Sequence, residues 1–276
     1  MARIIAGVGA SHSPSIAFAY DQRQENTAAW RPFFDSAASL RVRLAESRPD
    51  VMIFIYNDHF WQFDLDIVPT FAIGVANSYE LAPERQTSRP LPSPTGDPAF
   101  SWHIVRSLIG EEFDLTVCQR MMLDHGFFSV MPLLCDPPWD VRIIPVAVNV
   151  IQPPLPTPAR CWKLGQAIAR AVRSYAKDER VVVVSTGGLS HQLHGANFGY
   201  TNPHWDRNFL HLLVEDPQQL IALNHDDYMQ RGGAESVEMI VWLAMRAALD
   251  HPQVRQCSYH SGLLTGLGLL HLEEGA

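Results

Sequence analysis

RVVVVSTGGLSHQ, residues 180–192, decides the fold. Consecutive β-branched valines favour an extended chain. Apolar residues on both alternating faces mark a strand buried on two sides rather than a half-exposed one. Gly187 and Gly188 close the run, and His191 follows at its carboxyl end. The same order, apolar strand and then histidine, recurs in VMIFIYNDHF, residues 51–60, and RIIAGVGASHSP, residues 3–14. Strands are therefore expected at 3–9, 51–56, 67–73, 141–148 and 180–185. Helices are expected at 28–46, 98–109, 158–176, 205–215 and 236–249, where apolar residues repeat at three-to-four spacing. Thr157 before Pro158 suits a capped helix start. Residues 81–96, rich in Pro, Ser and charge, read as a long surface loop placed to cover a site. The expectation is a single α/β domain over residues 1–276, with a mixed central sheet covered by helices on both faces.

Composition narrows the class. The 276 residues are 47% hydrophobic and 18% charged, enough for one large core. With 21 basic against 29 acidic side chains and a formal charge of −8, no Lys/Arg run stands out, so no nucleic-acid partner is expected. MARIIAGVGASHSP, residues 1–14, lacks the long apolar core of a secretion signal. No apolar stretch approaches bilayer length, so no membrane association and a cytoplasmic location are expected. Cys118, Cys135, Cys161 and Cys257 are widely spaced and are expected as buried thiols rather than as disulfides or a zinc site.

The histidines matter through their positions. His12, His59 and His191 each follow a strand, and ligands in open α/β sheets bind outside the carboxyl ends of strands. Each has an ordinary reading: His12 as a cap-like residue before Pro14, His59 satisfied by Asn57 or Asp58, and His125 of LDHGFF capping a helix around residues 130–134. Taken together they favour a metal site. GGAESVEMIVWL, residues 232–243, offers Glu235 and Glu238, whose spacing of three places both near one helix face. The helix dipole accounts for Glu235. Glu238, followed by Met239, Ile240, Val241 and Trp242, points inward, where a carboxylate asks for a cation. Two histidines and one carboxylate with open positions is the pattern of non-haem Fe(II) oxygenases.

GASHSP, YNDHF, PTFAIG, LDHG, STGGLSHQ and AESVEMIVWLAMRAAL, in that order, make this chain similar to the class III extradiol dioxygenases, the family of the protocatechuate 4,5-dioxygenase β subunit and its gallate-cleaving relatives. The resemblance spans residues 1 to about 250. It implies Fe(II) as cofactor, with ligands His12, His59 and Glu238, and His191 as catalytic acid/base. It also implies His125 in the same cavity and a small aromatic diol and O2 as reactants. Gly187 and Gly188 are expected to let backbone approach the substrate. In YHSGLLTGLG, residues 259–268, Ser261 and Thr265 are the expected substrate contacts, beside Leu263 and Leu264 where relatives carry small polar residues. A protocatechuate- or gallate-type dihydroxybenzoate is the first expectation, and an uncharged diol, such as a substituted catechol or dihydroxypyridine-like heterocycle, the alternative. The family further implies an oligomer and a small helical α subunit, supplied separately or replaced by the 81–96 loop. A zinc hydrolase using His191 as base, or a metal-free binding protein, would use the same residues. No HExxH motif supports the hydrolase.

Overall fold

The computed structural model describes residues 1–84, 90–262 and 264–275. Its strands are β1 (Arg3–Ala10), β2 (Val51–Tyr56), β3 (Phe71–Gly74), β4 (Glu80–Leu81), β5 (Thr116–Cys118), β6 (Met122–Leu123), β7 (Arg142–Val148), β8 (Arg180–Thr186), β9 (Pro252–Ser261) and β10 (Gly266–Glu274). Eight of them form one sheet in the order β5-β3-β7-β2-β8-β1-β10-β9, while β4 and β6 pair with each other. The centre, β7-β2-β8-β1, is parallel. Both flanks turn antiparallel, at β3 against β7 and at the β9–β10 hairpin. The sheet is mixed, as expected.

The valine run shows why both faces are covered. Val181 and Val183 join the core formed with helices Pro98–Gly110 and Pro158–Ser174. Val182 and Val184 join the opposite core, with helix Arg31–Ser47 and the short helices His125–Phe128 and Met131–Leu134. Alternate side chains of one strand thus supply two cores, each buried valine contributing roughly 1.5–3 kcal/mol. Thr157 caps Pro158–Ser174 through the Arg160 amide.

Two expected elements are corrected. The strand expected at 67–73 is confined to Phe71–Gly74, because Pro69 has no amide to donate and Ile67 is 67% exposed. The helix expected at 236–249 is a 3₁₀ turn, Ala234–Val241, followed by an α-helix, Trp242–Ala247. Its entry is tight: Gly233 has φ +96°, and a Cβ there would stand 2.3 Å from the His191 carbonyl oxygen. Ser236 donates its hydroxyl back to the Gly233 carbonyl at 2.7 Å, favouring the shorter winding. At three residues per turn Glu235 and Glu238 eclipse. Of the cysteines, Cys118 and Cys161 are buried and Cys135 is half-buried, but Cys257, on edge strand β9, is exposed. Among the described residues no helix is long and apolar enough to cross a membrane.

Trp242 anchors the segment that carries Glu238. Its indole lies on Gly9 of β1, where an added Cβ would stand 2.3 Å from Trp242 Cε3, and its Nε1 donates to the Gly187 carbonyl at 3.2 Å. Gly9→Ala is therefore expected to destabilise the fold by about 1–3 kcal/mol through overpacking. Urea unfolding checks this, and an unchanged midpoint would count against the contact.

Candidate metal centre

Because β2, β8 and β1 are parallel neighbours, their carboxyl ends lie on one edge of the sheet. The residues that follow them, His59, His191 and His12, come together with His125 and Glu238 around one cavity of about 1030 Å³. His12 Nε2 stands 3.2 Å from Glu238 Oε2, and His59 Nε2 stands 3.7 Å from Glu238 Oε1. The His59 and His125 rings stack at 3.9 Å between centroids, and His12 meets His59 edge-on at 4.9 Å.

His12, His59, His125 and His191 are each oriented by a partner on Nδ1, which turns Nε2 toward the cavity, where the Asn57 side-chain amide also stands 3.0 Å from His59 Nε2. Thr186 donates its hydroxyl to the Gly126 carbonyl at 2.8 Å, so the same oxygen accepts from His12 Nδ1 at 3.1 Å. Asp124 Oδ2 accepts from His59 Nδ1 at 2.8 Å and from the His59 amide at 2.6 Å. Glu84 accepts from His125 Nδ1 at 3.0 Å, and the Leu189 carbonyl accepts from His191 Nδ1 at 2.7 Å. A carbonyl or carboxylate can only accept, so the proton belongs to Nδ1 in each case.

Electrostatics fit a cation among these groups. Burial drives His12 down from the usual histidine range to about 4, against the attraction of Glu238. Burial also opposes charge on His59, but the Asp124 and Glu238 carboxylates outweigh it and carry His59 up to about 10. Asp124, which burial works to raise, is held down to about 2 by His59. Glu238 is likewise pushed up by burial, yet His12 and His59 hold it well below the usual carboxylate range. His12 Nε2 is buried with no hydrogen-bond partner. With its proton on Nδ1, that nitrogen turns a lone pair toward the Glu238 carboxylate, a repulsive contact that a cation between them converts into two bonds. Two donors at right angles, each ~2.1 Å from one ion, stand about 3.0 Å apart, close to the separation of His12 from Glu238. Ring nitrogens of His12, His59 and His125 also lie within 4.8 Å of one another. Glu238 has the stronger claim to the third place, because a buried carboxylate needs the positive charge that a neutral imidazole does not.

Other expected contacts are redistributed. Thr265 and Leu264 line the cavity. Gly187 and Gly188 do not: a Cβ on Gly187 would meet the Glu238 carbonyl oxygen at 2.8 Å, and one on Gly188 the His191 ring at 2.5 Å. Their smallness serves the packing of Glu238 and His191, and the Gly188 amide donates to Glu238 Oε2 at 2.6 Å. Ser261 is exposed at the end of β9 and is not among the residues that line the cavity. Leu263 and residues 85–89 of the 81–96 loop lie outside the described residues. Glu235 receives His194 Nδ1 at 2.7 Å and the Leu193 amide at 3.0 Å, on the cavity wall but apart from the histidine cluster. Asp58 holds the amides of Trp61, Gln62 and Phe63 rather than His59. Sequence reasoning named Asn57 as a partner of His59, whose Nε2 it meets at 3.0 Å, but passed over Glu84, Asp124 and Thr186 as orienting groups. Asp124 lies inside the quoted LDHG and Thr186 inside STGGLSHQ, whereas Glu84 carries no local signal.

The comparisons agree with this geometry. A family model described as the catalytic LigB subunit of aromatic ring-opening dioxygenase matches residues 7–269. Gallate dioxygenase of Pseudomonas putida is 46% identical over 196 residues, covering 70% of this chain, and the chain spans 58% of that relative's length. A 2,3-dihydroxyphenylpropionate/2,3-dihydroxicinnamic acid 1,2-dioxygenase of a Rhodococcus species is 27% identical over 284 residues, 87% of each chain. Among solved structures, the uncharacterized protein JW3007 of Escherichia coli K12 superposes with a TM-score of 0.63 at 15% identity, over 98% of this chain and 100% of that one, a likeness of fold. The family match begins inside β1 and ends inside β10, enclosing the six histidines that line the cavity and Glu238, and the chain belongs to the LigB family of catalytic subunits of aromatic ring-opening dioxygenases.

Proposed function

We propose that this chain is an iron(II)-dependent extradiol dioxygenase that opens a catecholic ring with O2, and that its substrate is a dihydroxybenzoate of the protocatechuate or gallate type. His12, His59 and Glu238 hold the metal, His191 moves the proton, and His125 faces the diol. The observation that carries this reading is the His12 Nε2 lone pair, buried without a partner against Glu238. The two-histidine, one-carboxylate donor set suits ferrous iron, which when bound supplies the redox chemistry linking diol and O2. His191 Nε2, left free by the bond from Nδ1 to Leu189, accepts a phenolic proton and returns it as the ring opens. Gly188 and Asn57 hold the two Glu238 oxygens, keeping the carboxylate from following the substrate.

The uncharged-diol reading rests on Leu264, 40% exposed and on the cavity wall, and on the absence of Lys or Arg from that wall among the described residues. An anionic ring substituent buried there without a partner costs several kcal/mol. Phe60 and Leu193, exposed at the same cavity, support a covering by a helical partner subunit or a second protomer. The zinc-hydrolase reading has no such support beside the family match.

Anaerobic reconstitution with Fe(II), followed by O2 uptake against protocatechuate, gallate, methylgallate, catechol and dihydroxypyridines, tests the function. Ring-opened product from a benzoate-type diol is expected. A sizeable kcat/KM advantage for uncharged diols would move the substrate to the alternative, and no uptake with any diol would sink the reading.

Metal uptake should depend on pH in a defined direction. With His59 raised to about 10 and His12 lowered to about 4, one ligand still carries a proton at neutral pH while the other is already free. The entering ion displaces that proton, so affinity is expected to rise about tenfold per pH unit between roughly pH 5 and 9. Chelator competition across this window measures the slope, and a flat profile would contradict the assignment.

A further inference from the structure

We infer that Glu84 is a positioning residue for the reaction, acting on turnover through His125; this rests on the function proposed above. The pair β4–β6 and the bond from the Ala82 amide to the Leu123 carbonyl, 2.8 Å, lay the segment ending at Glu84 beside the Asp124-His125 step. Glu84, 41 positions away in sequence, accepts twice from the same histidine: from its backbone amide at 2.9 Å and from Nδ1 at 3.0 Å. Both residues are buried.

His125 is placed against the metal-holding groups without being needed among them. Its ring stacks on His59 at 3.9 Å and meets His12 edge-on at 5.6 Å. With Nδ1 committed to Glu84, only Nε2 can reach a diol or O2 in the cavity. Without the carboxylate, a buried Nδ1–H loses its acceptor, and the ring gains a reason to turn about its Cβ–Cγ bond and present the wrong nitrogen. Neighbouring residues thereby divide the work: Asp124 aims His59, and Glu84, delivered from the 81–96 loop, aims the His125 that follows Asp124.

A double-mutant cycle on the reconstituted enzyme tests this. Glu84→Ala is expected to lower kcat about 10- to 100-fold, by analogy with the range seen when the partners behind metal-bound imidazoles are removed, with iron content unchanged. Glu84→Gln, whose amide oxygen still accepts both N–H groups, should recover most of the loss. In a His125→Ala background Glu84→Ala should cost little further, because the imidazole through which it acts is gone, while its bond to the residue-125 backbone amide is lost in either background. Losses that multiply in the double variant, iron lost in Glu84→Ala, or full activity in Glu84→Ala would each overturn the inference. A readout independent of turnover is the His125 Nδ1 proton in the metal-free protein by ¹⁵N-edited NMR. It is expected as a slowly exchanging resonance that disappears in Glu84→Ala and survives in Glu84→Gln. Its absence from the parent protein would overturn the pairing even if no diol were ever cleaved, whereas its presence in an inactive enzyme would count against the proposed function alone.

Discussion

His191→Ala is expected to keep its metal and substrate binding while kcat falls by about 10²–10⁴-fold, the usual contribution of a positioned acid/base. The ring is buried on the cavity wall, and its Nδ1 is spent on the Leu189 carbonyl, so the side chain can exchange protons only at Nε2. The loop that carries it is pinned independently: Asp206 accepts from the Ser190 amide at 2.8 Å and from the Ser190 hydroxyl at 2.7 Å. Truncating the imidazole therefore leaves the loop in place. Iron stoichiometry and single-turnover rates measured on one preparation separate the two roles, and iron loss equal to that of His12→Ala would end the assignment of His191 as a base.

Glu238→Ala is expected to abolish stoichiometric iron. The substitution removes the anion standing 3.2 Å from His12 and 3.7 Å from His59. Breaking a buried charge pair costs about 3–5 kcal/mol. Set against a metal, that corresponds to roughly 10²–10⁴-fold weaker binding. His12→Ala should behave alike, for it deletes the nitrogen whose lone pair has no other partner. Glu235→Gln is the control: its carboxylate serves His194 and Leu193, so iron should stay. If Glu238→Ala holds iron and His125→Ala releases it, the third ligand is His125.

That Glu238 rather than Glu235 is the buried carboxylate was legible because burial follows from the neighbours: four apolar residues after Glu238 turn its side chain inward, and it is buried. The winding around it was not legible. Helix periodicity and 3₁₀ periodicity differ by little over eight residues, and the outcome depended on the close approach of Gly233 to the His191 carbonyl. The glycines after β8 misled for a related reason. Their small size is visible in the sequence, but whether it admits substrate or a neighbouring side chain is settled by what packs there, and Glu238 and His191 occupy the space.

By itself the sequence determined the two-sided sheet, the histidines at strand ends, and an inward carboxylate, since each is written in a few adjacent residues through hydrophobic alternation and the cost of burying charge. Even the meeting of His12, His59 and His191 needed only the further rule that parallel strands share a carboxyl edge. His191 is set locally by the Leu189 carbonyl, but for His12, His59 and His125 tertiary structure alone decided which nitrogen the ring presents. Asp124 is 65 positions from His59, Glu84 41 from His125, and Thr186 174 from His12. Such pairings are selected by packing rather than by local propensity, because a hydrogen bond is directional and acts over about 3 Å, and no periodicity in the chain encodes which distant group will stand there.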